Sequence, residues 1–226
     1  MARFVSVVLP TFNEAENIRQ AIHGIRREFG SIGIKNYEII VVDKYSPDST
    51  AKIAKGLGAK VIYCKKGKGA ALVKGLRLAK GDVLISMDAD LSNEPKELRL
   101  LIDAIDIGYD VCLGSRFITG GGSEDMPLVR VIGNKFFVWL VNSLFRAHYT
   151  DMCYGYRSFS RKAFKKLDLK EEGFGIETEM NIKIAKAKLK ATEVPSYEKK
   201  RLHGDAKLKT LRDGYTILMT ILKNLL

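Results

Sequence analysis

Five short apolar runs alternate with amphipathic stretches through the first half of this chain, and that alternation narrows the fold more than any other feature. The runs are RFVSVVLP, YEIIVVD, AKVIYC, DVLISMD and YDVCLGS. Their apolar residues are nearly continuous, which predicts strands buried on both faces. Between them, NEAENIRQAIHGIRREF carries apolar residues at helical spacing, with its acidic residues expected in the first turn. SPDSTAKIAKGLG reads as turn, cap and helix, KGKGAALVKGLRLAKG as a glycine-opened helix, and EPKELRLLIDAID as a fourth helix. Strand and helix in alternation predict an α/β fold with a mainly parallel sheet and helices on both faces. Ligands of such sheets sit beyond the carboxyl ends of the strands, near a reversal of strand order. Here those ends carry Pro10–Glu14, Asp43, Asp88 with Asp90, and Ser115–Arg116.

The pattern changes near residue 117. ITGGGSEDMP has no apolar period and is expected to be a mobile loop. VRVIGNKFFVWLVNSLF follows, about sixteen residues of helix, which at about 1.5 Å per residue falls short of the roughly 30 Å core of a bilayer. It is expected either in the protein core or flat in a membrane interface. Farther on, Leu208, Leu211, Tyr215, Leu218, Leu222 and Leu225 recur in steps of three and four. That stripe is expected to dock on the protein's own core, with helix pairing and membrane contact as alternatives. With 226 residues the chain suits one sizeable core, expected as a domain over residues 1–207 followed by a C-terminal amphipathic helix over 208–226. The opening segment MARFVSVVLP reads as a strand rather than a cleavable leader. The three cysteines, Cys64, Cys112 and Cys153, lack any C-x-x-C spacing, which fits a reducing cytoplasm.

A net charge of +12 implies attraction to something anionic. Nucleic acid is disfavoured as that partner, because aromatics are not interleaved with the basic runs and no nucleic-acid motif is present. The paired carboxylates in SMDADLSNEP are the sharper clue. At the end of a core strand they must be solvated, paired or metal-bound, and a turn with a helix cap is the plain alternative.

VVLPTFNEAENI, IIVVDKYSPDST, GKGAALVKGLRLAKGDVLISMDADL, LGSRF and DMCYGYRSFSRKAF occur in one order at compact spacing. Together they resemble the inverting family 2 glycosyltransferases of GT-A fold, and among them the polyprenyl-phosphate sugar synthases. The resemblance implies a nucleotide-sugar donor, a polyprenyl-phosphate acceptor and a divalent cation, Mg²⁺ or Mn²⁺, held by Asp88 and Asp90. It assigns Pro10, Phe12, Glu14 and Asp43 to base and ribose. Gly67, Lys68 and Gly69 open a helix, where free backbone N–H groups favour an anion, with a plain turn and cap as the alternative. Arg116, Arg130, Arg201 and Lys207 are implied at the acceptor phosphate, with Asp90, Arg116, Arg130 and Arg201 closest to the chemistry. Arg130 and Asn134, four apart, share one face of the apolar helix.

Two positions depart from the family pattern. Lys44 stands where a second aspartate is usual, either altering base preference or pointing to solvent. Ser92 stands where glutamine often follows the aspartate pair, so a third protein contact to the metal is in doubt. A phosphate acceptor is already ionised and needs no strong base, whereas a sugar hydroxyl needs one. Glu177 and Glu179, with Asp151 behind them, are the candidates for that role. The alternatives are therefore a family 2 transferase acting on a hydroxyl, or a non-catalytic nucleotide-sugar binder. The expected location is peripheral, on the cytoplasmic face of a membrane, held by the basic surface and apolar helices or by a separate membrane subunit.

Overall fold

The structure, a computed structural model, describes residues 3–124, 126–200 and 210–225. The five expected strands and the four helices between and after them are all present. They are β1 (Val5–Thr11), α1 (Ile18–Ser31), β2 (Tyr37–Asp43), α2 (Thr50–Gly56), β3 (Lys60–Tyr63), α3 (Lys68–Leu78), β4 (Val83–Ser86), α4 (Leu98–Asp106) and β5 (Val111–Ser115). The remaining elements are β6 (Gly122–Ser123), α5 (Leu128–Phe145), β7 (Arg157–Ser160), α6 (Arg161–Phe164), α7 (Ile176–Lys186), β8 (Ala191–Pro195), β9 (Tyr197–Glu198) and α8 (Thr210–Lys223).

The main sheet runs β3-β2-β1-β4-β7-β5-β8. All pairings are parallel except those of β7, which is antiparallel to β4 and β5. After β1 the chain moves outward through β2 and β3, then returns to place β4 on the other side of β1. That reversal leaves a crevice at the carboxyl ends of β1 and β4, the usual ligand position in open α/β sheets. Alternate strand residues point to opposite faces, and both faces are buried here. Val7, Leu9, Ile39, Val41, Val83 and Ile85 join a core with Ile22, Phe29 and Leu101 on one side. Val8, Ile40, Val42 and Leu84 join Leu72, Leu76 and Ile182 on the other.

Several local expectations are corrected. Helix α1 starts at Ile18, so no acidic residue lies in its first turn; Glu14 precedes the helix and accepts from the Asn17 amide at 2.8 Å. Strands β7 and β8 are additional, since RSFS and ATEVP are too short and too polar to read as core strands. The glycine-rich loop is pinned rather than loose: Gly122 and Ser123 pair with Tyr197 and Glu198, and the Glu124 N–H donates to the Glu198 carbonyl at 2.9 Å.

Helix α5 runs 18 residues with a mean hydropathy of 1.3, so length and composition alone admit a membrane crossing. Of its residues only Asn134 and Val141 are buried, which excludes the reading as a core helix. Leu128, Val129, Ile132, Phe136, Trp139 and Leu144 are exposed, while Asn134 and Asn142 bond Met152 and Tyr149 and hold the helix against the domain. The C-terminal stripe also differs from expectation. Ile217, Thr220 and Ile221 are the buried face of α8, whereas Tyr215, Leu222 and Leu225 are exposed. Helix α8 is apolar on two faces and packs against both α7 and α5. Leu208 lies outside the described residues.

Gly75 marks the tightest packing of helix on sheet. A Cβ there would meet Val8 Cγ1 at 2.4 Å and Val42 Cγ2 at 2.7 Å, both on stiff β-branched side chains. Gly75→Val is expected to cost roughly 1–3 kcal/mol through overpacking, read as a lower urea midpoint at unchanged slope.

Candidate active site

A cavity of about 790 Å³ opens over the carboxyl ends of β1 and β4. Pro10, Thr11, Phe12, Glu14 and Lys44 line one end. Lys68, Asp88, Asp90 and Ser92 lie in the middle, and Arg116, Arg130 and Asn134 beyond them. The far end is an apolar corridor between α5 and α8, walled by Val129, Phe136, Phe137, Ile217 and Leu218. Eight of the expected site residues within the described chain are thus brought to one cavity. Arg201 and Lys207 lie outside the described residues.

Asp43 is the exception. It is fully buried and does not line the cavity. Its carboxylate accepts from the Thr11 hydroxyl at 3.0 Å, the Ser46 N–H at 2.8 Å and the Ser46 hydroxyl at 2.6 Å. It ties the loops after β1 and β2 together, beneath the end of the cavity that Phe12 lines. Lys44 turns into the cavity, its ammonium 5.5 Å from the centre of the Phe12 ring, within cation–π range.

The Asp88–Asp90 turn is tightly held. The Asp88 N–H donates to Asn93 Oδ1 at 2.8 Å, and Asn93 donates to the Tyr154 hydroxyl at 2.9 Å. Leu91 takes a left-handed conformation, with φ of 67°. Ser92 donates to Asp90 Oδ1 from its N–H at 3.1 Å and its hydroxyl at 2.7 Å. The serine at this departure from the family pattern thus orients a site carboxylate. Asp88 meets a cation: Lys68 Nζ lies 2.9 Å from Oδ1 and 3.0 Å from Oδ2. The same ammonium is 3.1 Å from Glu177 Oε1. Burial opposes the Lys68 charge, but Asp88 and Glu177 outweigh it and raise its pKa well above the usual lysine value.

Gly67 and Gly69 serve close packing rather than an open anion cradle. A Cβ at either would strike the backbone carbonyls of Glu172 or Glu171 at 2.3 and 2.4 Å, and the Ala70 N–H donates to the Glu172 carbonyl. Glu179 holds this same loop, accepting from the N–H groups of Lys170 and Glu171 at 2.9 and 2.8 Å, and does not line the cavity.

Arg116 is clamped by protein carboxylates. Its Nε and Nη2 donate to the two Asp151 oxygens at 2.7 and 2.9 Å, and Nη1 donates to Glu198 at 3.0 Å. The guanidinium stacks 4.6 Å from the Tyr154 ring centre. Burial works against its charge, yet Asp151 and Glu198 hold its pKa above the ordinary arginine value. Asn134 Oδ1 accepts from the Met152 N–H at 3.0 Å, while its buried Nδ2 has no partner among the described residues.

Sequence reasoning missed Tyr154, Glu198, Lys199 and the aromatic wall of α5. Tyr154 sits inside a quoted motif, but nothing local signals that its hydroxyl meets Asn93 and Ser196. Lys199 reaches the site loop through its N–H to the Ser92 carbonyl at 3.0 Å and an ion pair with Glu94. The Arg116 clamp generates a prediction. Arg116→Met strands the buried Asp151 and the partly buried Glu198 and is expected to cost about 3–5 kcal/mol, seen as a lowered denaturant midpoint, with Arg116→Lys recovering part of the loss.

Comparison with known proteins places this geometry. The family described as "Glycosyl transferase family 2" matches residues 6–168. The chain is 35% identical over 214 residues to a protein from Pyrococcus furiosus named dolichol-phosphate mannosyltransferase, covering 91% of this chain and 59% of that relative's length. It is 31% identical over 203 residues to the polyprenol monophosphomannose synthase of Mycolicibacterium smegmatis, covering 84% of this chain and 79% of that protein. Among solved structures, glucosyl-3-phosphoglycerate synthase from Mycobacterium tuberculosis, crystallised with Mn²⁺, UDP and glucosyl-3-phosphoglycerate, superposes with a TM-score of 0.76 at 23% identity. That likeness covers 98% of this chain and 80% of the other, and it carries the fold. With its sheet order, its cavity over β1 and β4, and a family match across more than half its length, the chain belongs to glycosyl transferase family 2 and is a glycosyltransferase of GT-A fold.

Proposed function

We propose that this glycosyltransferase moves a sugar from a nucleotide-sugar donor to a polyprenyl phosphate, with inversion at the anomeric carbon and with a divalent ion at Asp88 and Asp90. The observation that carries the reading is the continuity of one cavity, from the aspartate pair into an apolar corridor between α5 and α8. A sugar-hydroxyl acceptor gives no reason for that corridor; a polyprenyl chain does. The names of the Pyrococcus and Mycolicibacterium relatives support the same acceptor class.

The donor set fits a hard divalent ion. Two carboxylates face one cavity, and a cation, the Lys68 ammonium, already rests on one of them. No group of three or more His, Cys, Asp or Glu side chains suited to a metal occurs among the described residues, so water and diphosphate would complete the coordination. Bound there, Mg²⁺ or Mn²⁺ would offset the negative charge that grows on the leaving nucleoside diphosphate. The Mn²⁺ and UDP of the mycobacterial neighbour support the ion and the donor type.

The chain's own residues divide the remaining tasks. Phe12, Pro10 and Glu14 would hold base and ribose, with Lys44 at the same end. Arg130 and the unpartnered Asn134 amide would receive the acceptor phosphate where the corridor begins. Arg116, occupied by Asp151 and Glu198, would position that wall rather than grip phosphate. An ionised phosphate attacks the anomeric carbon directly, without a protein nucleophile or a strong base. The candidate bases agree with this, since Glu177 faces Lys68, Glu179 is bound by backbone N–H groups, and Asp151 is paired with Arg116.

Residues 1–207 would form the catalytic domain and 208–226 a C-terminal amphipathic helix. The exposed apolar face of α5, with the net charge of +12, would lie against the anionic cytoplasmic leaflet. The chain spans 59% of the Pyrococcus relative's length; a separate membrane subunit would add to its attachment.

The reading is tested with a panel of nucleotide sugars, a short polyprenyl phosphate and Mn²⁺ or Mg²⁺. Glycolipid should form from one donor, stop with EDTA, and fall by about 10²-fold or more in Asp90→Ala, on the scale of losing one preorganised electrostatic contact. Turnover with sugar hydroxyls alone, or nucleotide binding without glycolipid from any donor, would overturn the lipid-phosphate assignment. For the membrane face, Phe136→Glu with Trp139→Glu should reduce co-sedimentation with anionic vesicles by about tenfold, a loss of about 1.4 kcal/mol.

A further inference from the structure

We infer that Lys68 is an exchangeable counter-cation for Asp88, which opposes the divalent ion alone and yields Asp88 to it once a nucleoside diphosphate takes over the ammonium. The inference rests on the metal reading of Asp88 and Asp90 given above. Its ground is the contact set of one ammonium. Lys68 Nζ faces both Asp88 oxygens at 2.9 and 3.0 Å and Glu177 Oε1 at 3.1 Å. The ammonium donates to Asp88 Oδ2 and stands at ion-pair distance from Asp88 Oδ1 and Glu177 Oε1.

A divalent ion approaching Asp88 therefore meets a resident positive charge within hydrogen-bond reach of the oxygens it needs. In a partly buried cavity that repulsion is weakly screened. A diphosphate reverses the sign of the problem, because its oxygens accept from the ammonium and ligate the metal at once. Lys68 heads α3 on a flexible four-carbon stem, so its ammonium can turn from Asp88 to a phosphate oxygen. Glu177 is nearly fully buried, on α7, and keeps hold of the ammonium while Asp88 is released. Glu177 is then a positioning residue, retaining the lysine at the boundary between metal and phosphate. Linkage makes the coupling reciprocal: whatever diphosphate does for metal affinity, metal does for diphosphate affinity.

The test measures binding rather than turnover. Free Mn²⁺ is followed by electron paramagnetic resonance with and without UDP or GDP, and metal-free UDP and GDP binding is followed by calorimetry in EDTA. The informative variant is Lys68→Met with Glu177→Gln, which removes one positive and one negative charge and leaves the net charge of the cavity unchanged. It also avoids stranding a buried glutamate. Wild type should bind Mn²⁺ alone at least about tenfold more weakly than with the tighter nucleotide, within the usual range of coupling between sites. The double variant should bind Mn²⁺ alone about fivefold or more tightly than wild type and metal-free nucleotide about fivefold or more weakly, since one lost contact acts on the two ligands with opposite sign.

Lys68→Arg retains the cation and should keep Mn²⁺ alone weak, which provides a readout if the double variant does not fold. A double variant with unchanged or weaker Mn²⁺ binding, or an arginine variant that binds Mn²⁺ alone tightly, would overturn the exchange. Absence of Mn²⁺ binding to wild type with both nucleotides would instead overturn the metal reading beneath it.

Discussion

Charge compensation at the carboxyl end of β4 is the constraint around which the site is built. Asp88, Asp90 and Glu198 line one cavity, the buried Glu177 and Asp151 pair with its lysine and arginine, and leaving such carboxylates without a counter-charge is costly. Lys68 answers the first cluster and Arg116 the second. Behind both lies Arg157, fully buried, whose guanidinium donates to the carbonyls of Tyr154 and Glu177 and to Asn181 Oδ1 at 3.0 Å. Desolvation lowers its pKa, with Glu177 pulling the other way. Each cation holds a different wall of the cavity, so charge pairing and site shape are set by the same contacts.

Placement of those walls depends on an inserted antiparallel strand. β7 lies between β4 and β5 and carries Arg157 into the interior, while the residues just before it bring Tyr154 and Gly155 to the cavity. β8 extends the sheet beyond β5, and from its end Ser196 meets Tyr154 and Glu97. Lys199, just past β9, bonds the Ser92 carbonyl and Glu94. The aspartate turn is therefore braced by segments from a second half that shows almost no strand pattern in sequence. The apolar corridor has a similar origin: α5 and α8 are distant in the chain, and their approach creates a surface neither helix has alone.

Legibility followed the range of the forces involved. The five parallel strands were readable because double-sided burial imposes unbroken apolar runs, as in IIVV of β2 and VLI of β4. Asp88, Asp90, Phe12, Glu14 and Lys68 were readable because motif order fixes them at strand ends and a helix start. Asp43 is legible as the end of a strand, but only its hydrogen bonds show it bracing Thr11 and Ser46. Glu179 suits a base by residue type and position, yet its oxygens are taken by the backbone of residues 170 and 171. The stripe on α8 misled because steps of three and four are met by two faces of that helix, and periodicity does not choose between them.

The sequence by itself determined the fold class, the family and the strand ends where chemistry gathers, because burial periodicity and motif spacing are local properties of the chain. Only the tertiary structure decided that Lys68 lies between Asp88 and Glu177, that Arg116 is consumed by Asp151 and Glu198, and that α5 turns its aromatic face outward. Those outcomes are pairings across tens of residues, such as the 82 positions between Arg116 and Glu198. Charge type alone is indifferent to them; only the folded geometry selects one partner from many of the same sign.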